Sequence, residues 1–314
     1  MYPHKTSHTS NTVAEELTVR EGQLFVAFSL DVDPDSNKAV KGRVDSLSYP
    51  PEKGLVRVDA AYRGLKETLQ LLEYLDIPAT LFFEARTAQL LAEEGPEDIR
   101  SLTNGHEIGC HSHRHEDFLG AASGIPISKA QAREIICESI DILNDIFHKK
   151  VIGFRAPYLR INRELLSLLG ELGFAYDSSI INDCIRPFYM NTARLWEFTV
   201  ASLRTDSGRR ITSYLHPLFQ GKIDTKEYVW GVGSQVQRIK GGLFILAFHP
   251  WELFIDHSGK ALNAENSRQR LEKLTDVLQG LKATSGLEFV RLEQYLEMHN
   301  SGKSGHPQIH EVRA

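Results

Sequence analysis

The run Leu24-Phe25-Val26-Ala27-Phe28-Ser29-Leu30-Asp31-Val32-Asp33 is apolar for most of its length and ends in two carboxylates. Successive side chains of a strand point to opposite faces, so Asp31 and Asp33 leave the hydrophobic run on the same side. Short runs of the same character recur at 79–85 (ATLFFEA), 106–112 (HEIGCHS), 153–158 (GFRAPY), 175–179 (AYDSS), 195–200 (LWEFTV), 243–250 (LFILAFHP) and 288–292 (EFVRL). Between them, at 61–76, 128–147, 162–173 and 266–284, apolar residues stand three and four apart, a spacing that predicts helices. Strands alternating with helices argue for βα units, closed as a barrel or laid out as a doubly wound sheet. No repeat or linker divides the chain. We expect one domain over 23–300, mobile ends at 1–22 and 301–314, and irregular stretches at 34–60 and 201–240 lying as loops or insertions over one end of the sheet.

The 314 residues are 41% hydrophobic, enough to build a buried core. Thirty-six basic and 41 acidic residues are spread along the chain without a basic stripe, so no nucleic acid partner is expected. No run approaches the roughly 18 apolar residues of a membrane span, so no transmembrane segment is expected, and the polar N-terminus shows no secretory signal. Cys110, Cys137 and Cys184 are odd in number and lack CxxC spacing, which fits free thiols and an expected cytoplasmic location.

The polar residues that stand out sit at the C-terminal ends of the strand-like runs, where βα architectures place their active sites. Four of the 13 histidines fall within residues 105–115, GHEIGCHSHRH. Alternation puts Glu107, Gly109 and His111 on one strand face, with Cys110 opposite as core. His115 follows His111 by four, which lets both imidazoles reach one ion if the chain turns helical there. A carboxylate from another strand end would complete two nitrogens and one oxygen with open positions, as a catalytic ion needs. His113 points elsewhere, and His106 belongs to the strand entry. Arg155, Asp177 and His249 occupy other strand ends, where an arginine can keep a carboxylate ionised and a lone histidine can donate a proton near neutral pH. A base, an acid and a Lewis-acid ion are the parts of a metal-assisted hydrolase.

These residues resemble the NodB-like polysaccharide deacetylases, a carbohydrate esterase family whose motifs appear in order between Ser29 and Glu252. His111-Ser112-His113-Arg114-His115 resembles the H-[ST]-x-x-H motif, and Arg155-Ala156-Pro157-Tyr158 the R-x-P-Y motif. Ser29-Leu30-Asp31-Val32-Asp33 is a D-x-D form in place of T-F-D-D-G, similar to a branch that includes precursor-modifying deacetylases and imide- or ureide-cleaving relatives. His249-Pro250-Trp251-Glu252 resembles the H-P-W-E form of deacetylases tied to exopolysaccharide or cell-surface glycan assembly, with Ala247 where many members carry a leucine in the acetyl pocket. The resemblance implies a distorted (β/α) barrel of about seven parallel strands and removal of an N-acetyl group from an N-acetylhexosamine unit of a glycan, glycolipid or sugar precursor.

It further implies that Asp33, His111 and His115 hold one divalent ion, zinc first, with Co2+, Ni2+, Mn2+ or Fe2+ as alternatives. Asp31 would be the base, Arg155 its orienting partner and His249 the acid. Asp177 would hydrogen-bond to that acid or else cap the turn Asp177-Ser178-Ser179. Tyr158 would offer a backbone N–H to the developing oxyanion, and Trp251 and Glu252 would shape the substrate pocket or close the barrel end. The partner is then an N-acetylated sugar, and a homo-oligomer is compatible with the sequence. Other readings are hydrolysis of a small cyclic imide or ureide, a non-haem iron oxygenase using two histidines and one aspartate, and a non-catalytic glycan-binding barrel. The oxygenase usually sits on a β-sandwich, and the binding module is expected to lose Asp31 or His249, both present here.

Overall fold

The structure, a computed structural model, describes residues 23–34, 40–45, 51–205, 208–236, 238 and 242–300. The expected mobile ends lie outside these residues. In chain order the elements are β1 (Leu24–Val32), α1 (Pro51–Leu75), β2 (Ala79–Phe83), α2 (Ala85–Glu94), α3 (Ile99–Leu102), β3 (Glu107–Cys110), α4 (Lys129–Phe147), β4 (Gly153–Phe154), α5 (Arg163–Glu171), β5 (Tyr176–Asp177), β6 (Ile181–Asn182), β7 (Phe188–Met190) and β8 (Leu195–Glu197). They continue as β9 (Val200–Arg204), β10 (Arg210–Thr212), α6 (His216–Phe219), α7 (Thr225–Gly233), β11 (Gly242–Phe248), α8 (Ala264–Lys282), β12 (Leu287–Phe289) and α9 (Leu292–Asn300).

The main sheet runs β11-β1-β2-β3-β4-β5-β8-β7. Its first seven strands are parallel, β7 joins β8 antiparallel, and β12 pairs with the start of β1 on the edge that β2 takes further along. The expected (β/α) barrel is borne out, as a curled sheet that strand pairing leaves open. A small sheet, β10-β9-β6, stands at the gap. Residues 213–215 bind the free edge of β11 through Ser213, Ala247 and Leu215 backbone bonds.

Alternation along β1 sorts the two sides of the sheet. Leu24, Val26, Phe28, Leu30 and Val32 join the core beneath the helices, whereas Phe25 and Ala27 join the barrel interior with Phe82, Tyr176, Phe198 and Ile245. Asp31 and Asp33 continue the interior face to the C-terminal rim. Tyr295 of α9 closes the other end, edge-on to Phe25 and Phe198. No described helix is long and apolar enough to cross a membrane.

Three expectations need correction. The stretch 34–60 is not wholly a loop, because α1 begins at Pro51. The stretch 201–240 carries β9, β10, α6 and α7, elements too short for periodicity to reveal. The chain does not turn helical after β3. Ser112 (φ 66) and His115 (φ 55) take left-handed conformations instead, on either side of a bend at 113–114.

Candidate active site at the C-terminal rim

Ligand atoms of Asp33, His111 and His115 lie within 4.8 Å of one another, and all three residues are buried. His111 leaves the end of β3 with Nδ1 2.7 Å from the Arg155 carbonyl oxygen. A carbonyl only accepts, so Nδ1 carries the proton and Nε2 is left with its lone pair directed to the cluster. The two imidazole centroids are 5.0 Å apart, and the Tyr158 ring supports His115 at 4.6 Å. Burial pushes His111 down to about 4 and His115 well below the usual histidine value, so both are neutral, as metal ligands must be. Trp251 Nε1 donates to Asp33 Oδ1 at 2.9 Å, orienting that carboxylate.

Asp31, one strand repeat earlier, has different neighbours. Arg155 Nη1 donates to its Oδ1 at 2.7 Å and to Ser29 Oγ at 2.9 Å, while Tyr214 Oη donates to its Oδ2. Arg155 is itself fully buried, fixed by Ser178 and stacked over the Phe82 ring at 4.2 Å. Burial alone would raise the Asp31 carboxyl. The guanidinium, helped by His111, His249 and Tyr214, outweighs it and holds the group well below the usual carboxylate range.

His249 follows β11, its Nε2 3.8 Å from Asp31 Oδ2 and 3.9 Å from Asp33 Oδ2. Its Nδ1 lies 2.8 Å from Glu252 Oε1, three residues on in the turn Pro250–Leu253. Burial opposes the imidazolium, but the bond to Glu252 and the charges of Asp33 and Asp31 prevail and raise His249 to about 9. Glu252 is held at about 2: burial would raise it, and its bonds to His249 and His257 outweigh that. His249 stays 20% exposed, whereas the side chains of Asp31 and Asp33 are sealed.

Asp31, Asp33, His111, His115, Arg155, Tyr158, His249, Trp251 and Glu252 are thus brought together. Asp177 is not. Its carboxylate accepts from Ser179 Oγ at 2.8 Å and Ser179 N at 3.0 Å, and it bonds to Glu197. It therefore caps the turn, and the carboxylate at His249 is Glu252. Burial raises Asp177 and, further, Glu197, so the pair shares a proton. His113 points to Glu138, 3.3 Å away, and His106 Nδ1 accepts from Ala79 N at the strand entry. Sequence reasoning missed Tyr214, which no motif or period marks. It also missed Ser29, which the two-residue alternation with Asp31 could have found.

Fold and site define a class: an open (β/α) barrel with carboxylates, imidazoles and a buried arginine gathered at its C-terminal rim. A model of the polysaccharide deacetylase family matches residues 55–176. The peptidoglycan deacetylase of Helicobacter pylori is 23% identical over 201 residues, 63% of this chain and 62% of that protein, so less than two thirds of that relative is spanned. Among solved structures, a polysaccharide-deacetylase-type protein from Mycobacterium smegmatis superposes with a TM-score of 0.62 at 22% identity, covering 96% of this chain and 99% of that one. A Puue allantoinase superposes with a TM-score of 0.65 at 16% identity, covering 92% and 95%. The chain is thus similar to the polysaccharide deacetylases, through the family match over residues 55–176 and through the fold.

Proposed function

We propose that the protein is a metal-dependent carbohydrate N-deacetylase that hydrolyses the acetamide of an N-acetylhexosamine unit to a free amine and acetate. The observation that carries this reading is the convergence of the neutral pair His111 and His115 with Asp33, beside a charged Asp31 and opposite His249. Two nitrogens and one carboxylate oxygen suit zinc with a position left open. A divalent ion held there supplies Lewis acidity to the amide carbonyl and to water. Asp31, with one oxygen held by Arg155, accepts the proton that water gives up. His249 donates from Nε2 to the departing amine, and Glu252 holds its Nδ1 so that Nε2 faces the reaction. The Tyr158 backbone N–H serves the oxyanion.

The H. pylori relative's name supports a glycan substrate, and the three unpaired cysteines support action in a reducing, cytoplasmic compartment on a glycan precursor. The test is acetate release from lipid-linked and nucleotide-linked N-acetylated sugars, with and without chelator, alongside cyclic imides and ureides. Chelator-sensitive release from a sugar is expected. Turnover confined to imides or ureides, or unaffected by chelator, would overturn the reading.

A further inference from the structure

His249 is flanked by two aromatic rings. The Tyr214 ring lies 5.4 Å from the imidazole centroid at an interplanar angle of 26°, and the Trp251 ring lies 5.1 Å away at 28°. Each ring also donates to one aspartate: Tyr214 Oη to Asp31 Oδ2, and Trp251 Nε1 to Asp33 Oδ1. Trp251 reaches its place through the turn after β11. Tyr214 arrives from the segment between β10 and α6, outside the motifs and outside the stretch matched by the family.

A backbone register fixes Tyr214 there. It forms a parallel bridge with Ala247, and Leu215 N and Ala247 N bond across the same junction at 3.0 and 2.9 Å. Ala247 and His249 are two residues apart on one side of the extended chain, so a ring bridged at 247 lies beside the imidazole at 249. Thr212 Oγ1 donates to the Tyr214 carbonyl at 2.9 Å and fixes the approach.

We propose that Tyr214 is a positioning residue shared by the base and the acid: its ring fixes the plane of His249, and its hydroxyl fixes the carboxylate of Asp31. The proposal rests on the deacetylase reading for its kinetic consequences only. Arg155 on Oδ1 and Tyr214 on Oδ2 hold both oxygens of Asp31, and stacking on Tyr214 and Trp251 together with the bond to Glu252 orients the imidazole. Because Tyr214 acts through these two side chains, its loss lowers kcat and spares KM.

The experiment compares Tyr214→Phe and Tyr214→Leu in the metal-loaded protein. The His249 ring C–H signals, assigned by their loss in His249→Gln, are followed in spectra of ring-labelled histidine. Tyr214→Phe keeps the ring and should leave the His249 signals in place. Its kcat should fall about ten- to hundred-fold with KM within about twofold, the effect of losing a hydrogen bond to a charged group. Tyr214→Leu should shift the His249 signals and lose about a further tenfold on an amide. That further loss should vanish on an activated aryl acetate, whose leaving group needs no proton. Unchanged turnover in Tyr214→Phe, or unmoved His249 signals in Tyr214→Leu, would overturn the proposal. Failure of the wild type on every acetylated sugar would defeat the deacetylase reading instead, and the spectra would still decide the position of the ring.

Discussion

Asp31 and Asp33 share a strand face, yet their surroundings differ, and the proposed function gives them different work. Asp31 meets a guanidinium and a phenol, and Asp33 meets an indole and the two histidines. Asp31→Asn should therefore retain the ion, measured by elemental analysis, while kcat falls by about 10²–10⁴-fold, the usual size of a lost general base. Asp33→Asn should lose the ion, and the opposite pattern would reverse the roles. Arg155→Ala leaves a fully buried carboxylate without its cation, a change that costs about 3–5 kcal/mol in denaturant unfolding. A loss below about 1 kcal/mol would show that the pair is not charged in the folded state. At this scale the motif residues were legible, because carboxylates and imidazoles at strand ends have few structural reasons to be there. The partner of His249 was not: Asp177 also stands at a strand end, and only the turn after β11 shows that Glu252 folds back onto Nδ1. Tyr214 left no trace in the sequence, since its place depends on a bridge between segments 33 residues apart.

Legibility among the elements followed length. β1 and β11, nine and seven buried residues that are mostly apolar, announce themselves, as do the long amphipathic helices α4 and α8. β4 and β5 are two residues each, and the runs read as strands there continue as site loops, where pairing gives way to functional side chains. The pair His111 and His115 was found for a reason that did not hold, since the i, i+4 spacing spans left-handed residues and a bend and not a helix. Close packing of α1 on the turn after β11 was also illegible. A Cβ on Gly64 would stand 1.9 Å from the Pro250 carbonyl oxygen, a backbone atom next to His249. Gly64→Ala must therefore push helix and turn apart. It should destabilise the fold by about 1–3 kcal/mol, as overpacking does, and lower kcat through the displaced His249 while the ion stays bound. Denaturant midpoint, kcat and metal content together check this, and unchanged kcat would mean that the turn does not transmit the shift.

The barrel has a rim end and a closed end, and the buried carboxylates of the two depend on pH in opposite ways. At the rim, Asp31 and Glu252 are held below the usual carboxylate range, so their stabilisation is present above an unfolded value near 4 and is lost as pH falls. At the closed end, Glu107 of β3 is buried among Tyr176 Oη (2.5 Å), Thr80 Oγ1 (2.7 Å) and the Glu293 amide (2.9 Å). Burial raises it from 4.5 to about 7 against these three donors. The folded chain thus keeps a proton that the unfolded chain has released. The associated stability is complete below 4.5 and is lost as pH climbs through 7, an amount of about 3 kcal/mol. His249, raised to about 9, adds a loss of the same sign above its unfolded value of 6.5. Comparison with Glu107→Gln isolates the closed end, because the rim groups are common to both proteins. Chelator-treated protein keeps metal affinity out of the measurement. The unfolding free energy of the wild type minus that of Glu107→Gln should fall by about 3 kcal/mol between pH 4.5 and 8. A flat or rising difference would mean that the three donors outweigh burial and that the barrel closes over an ionised Glu107.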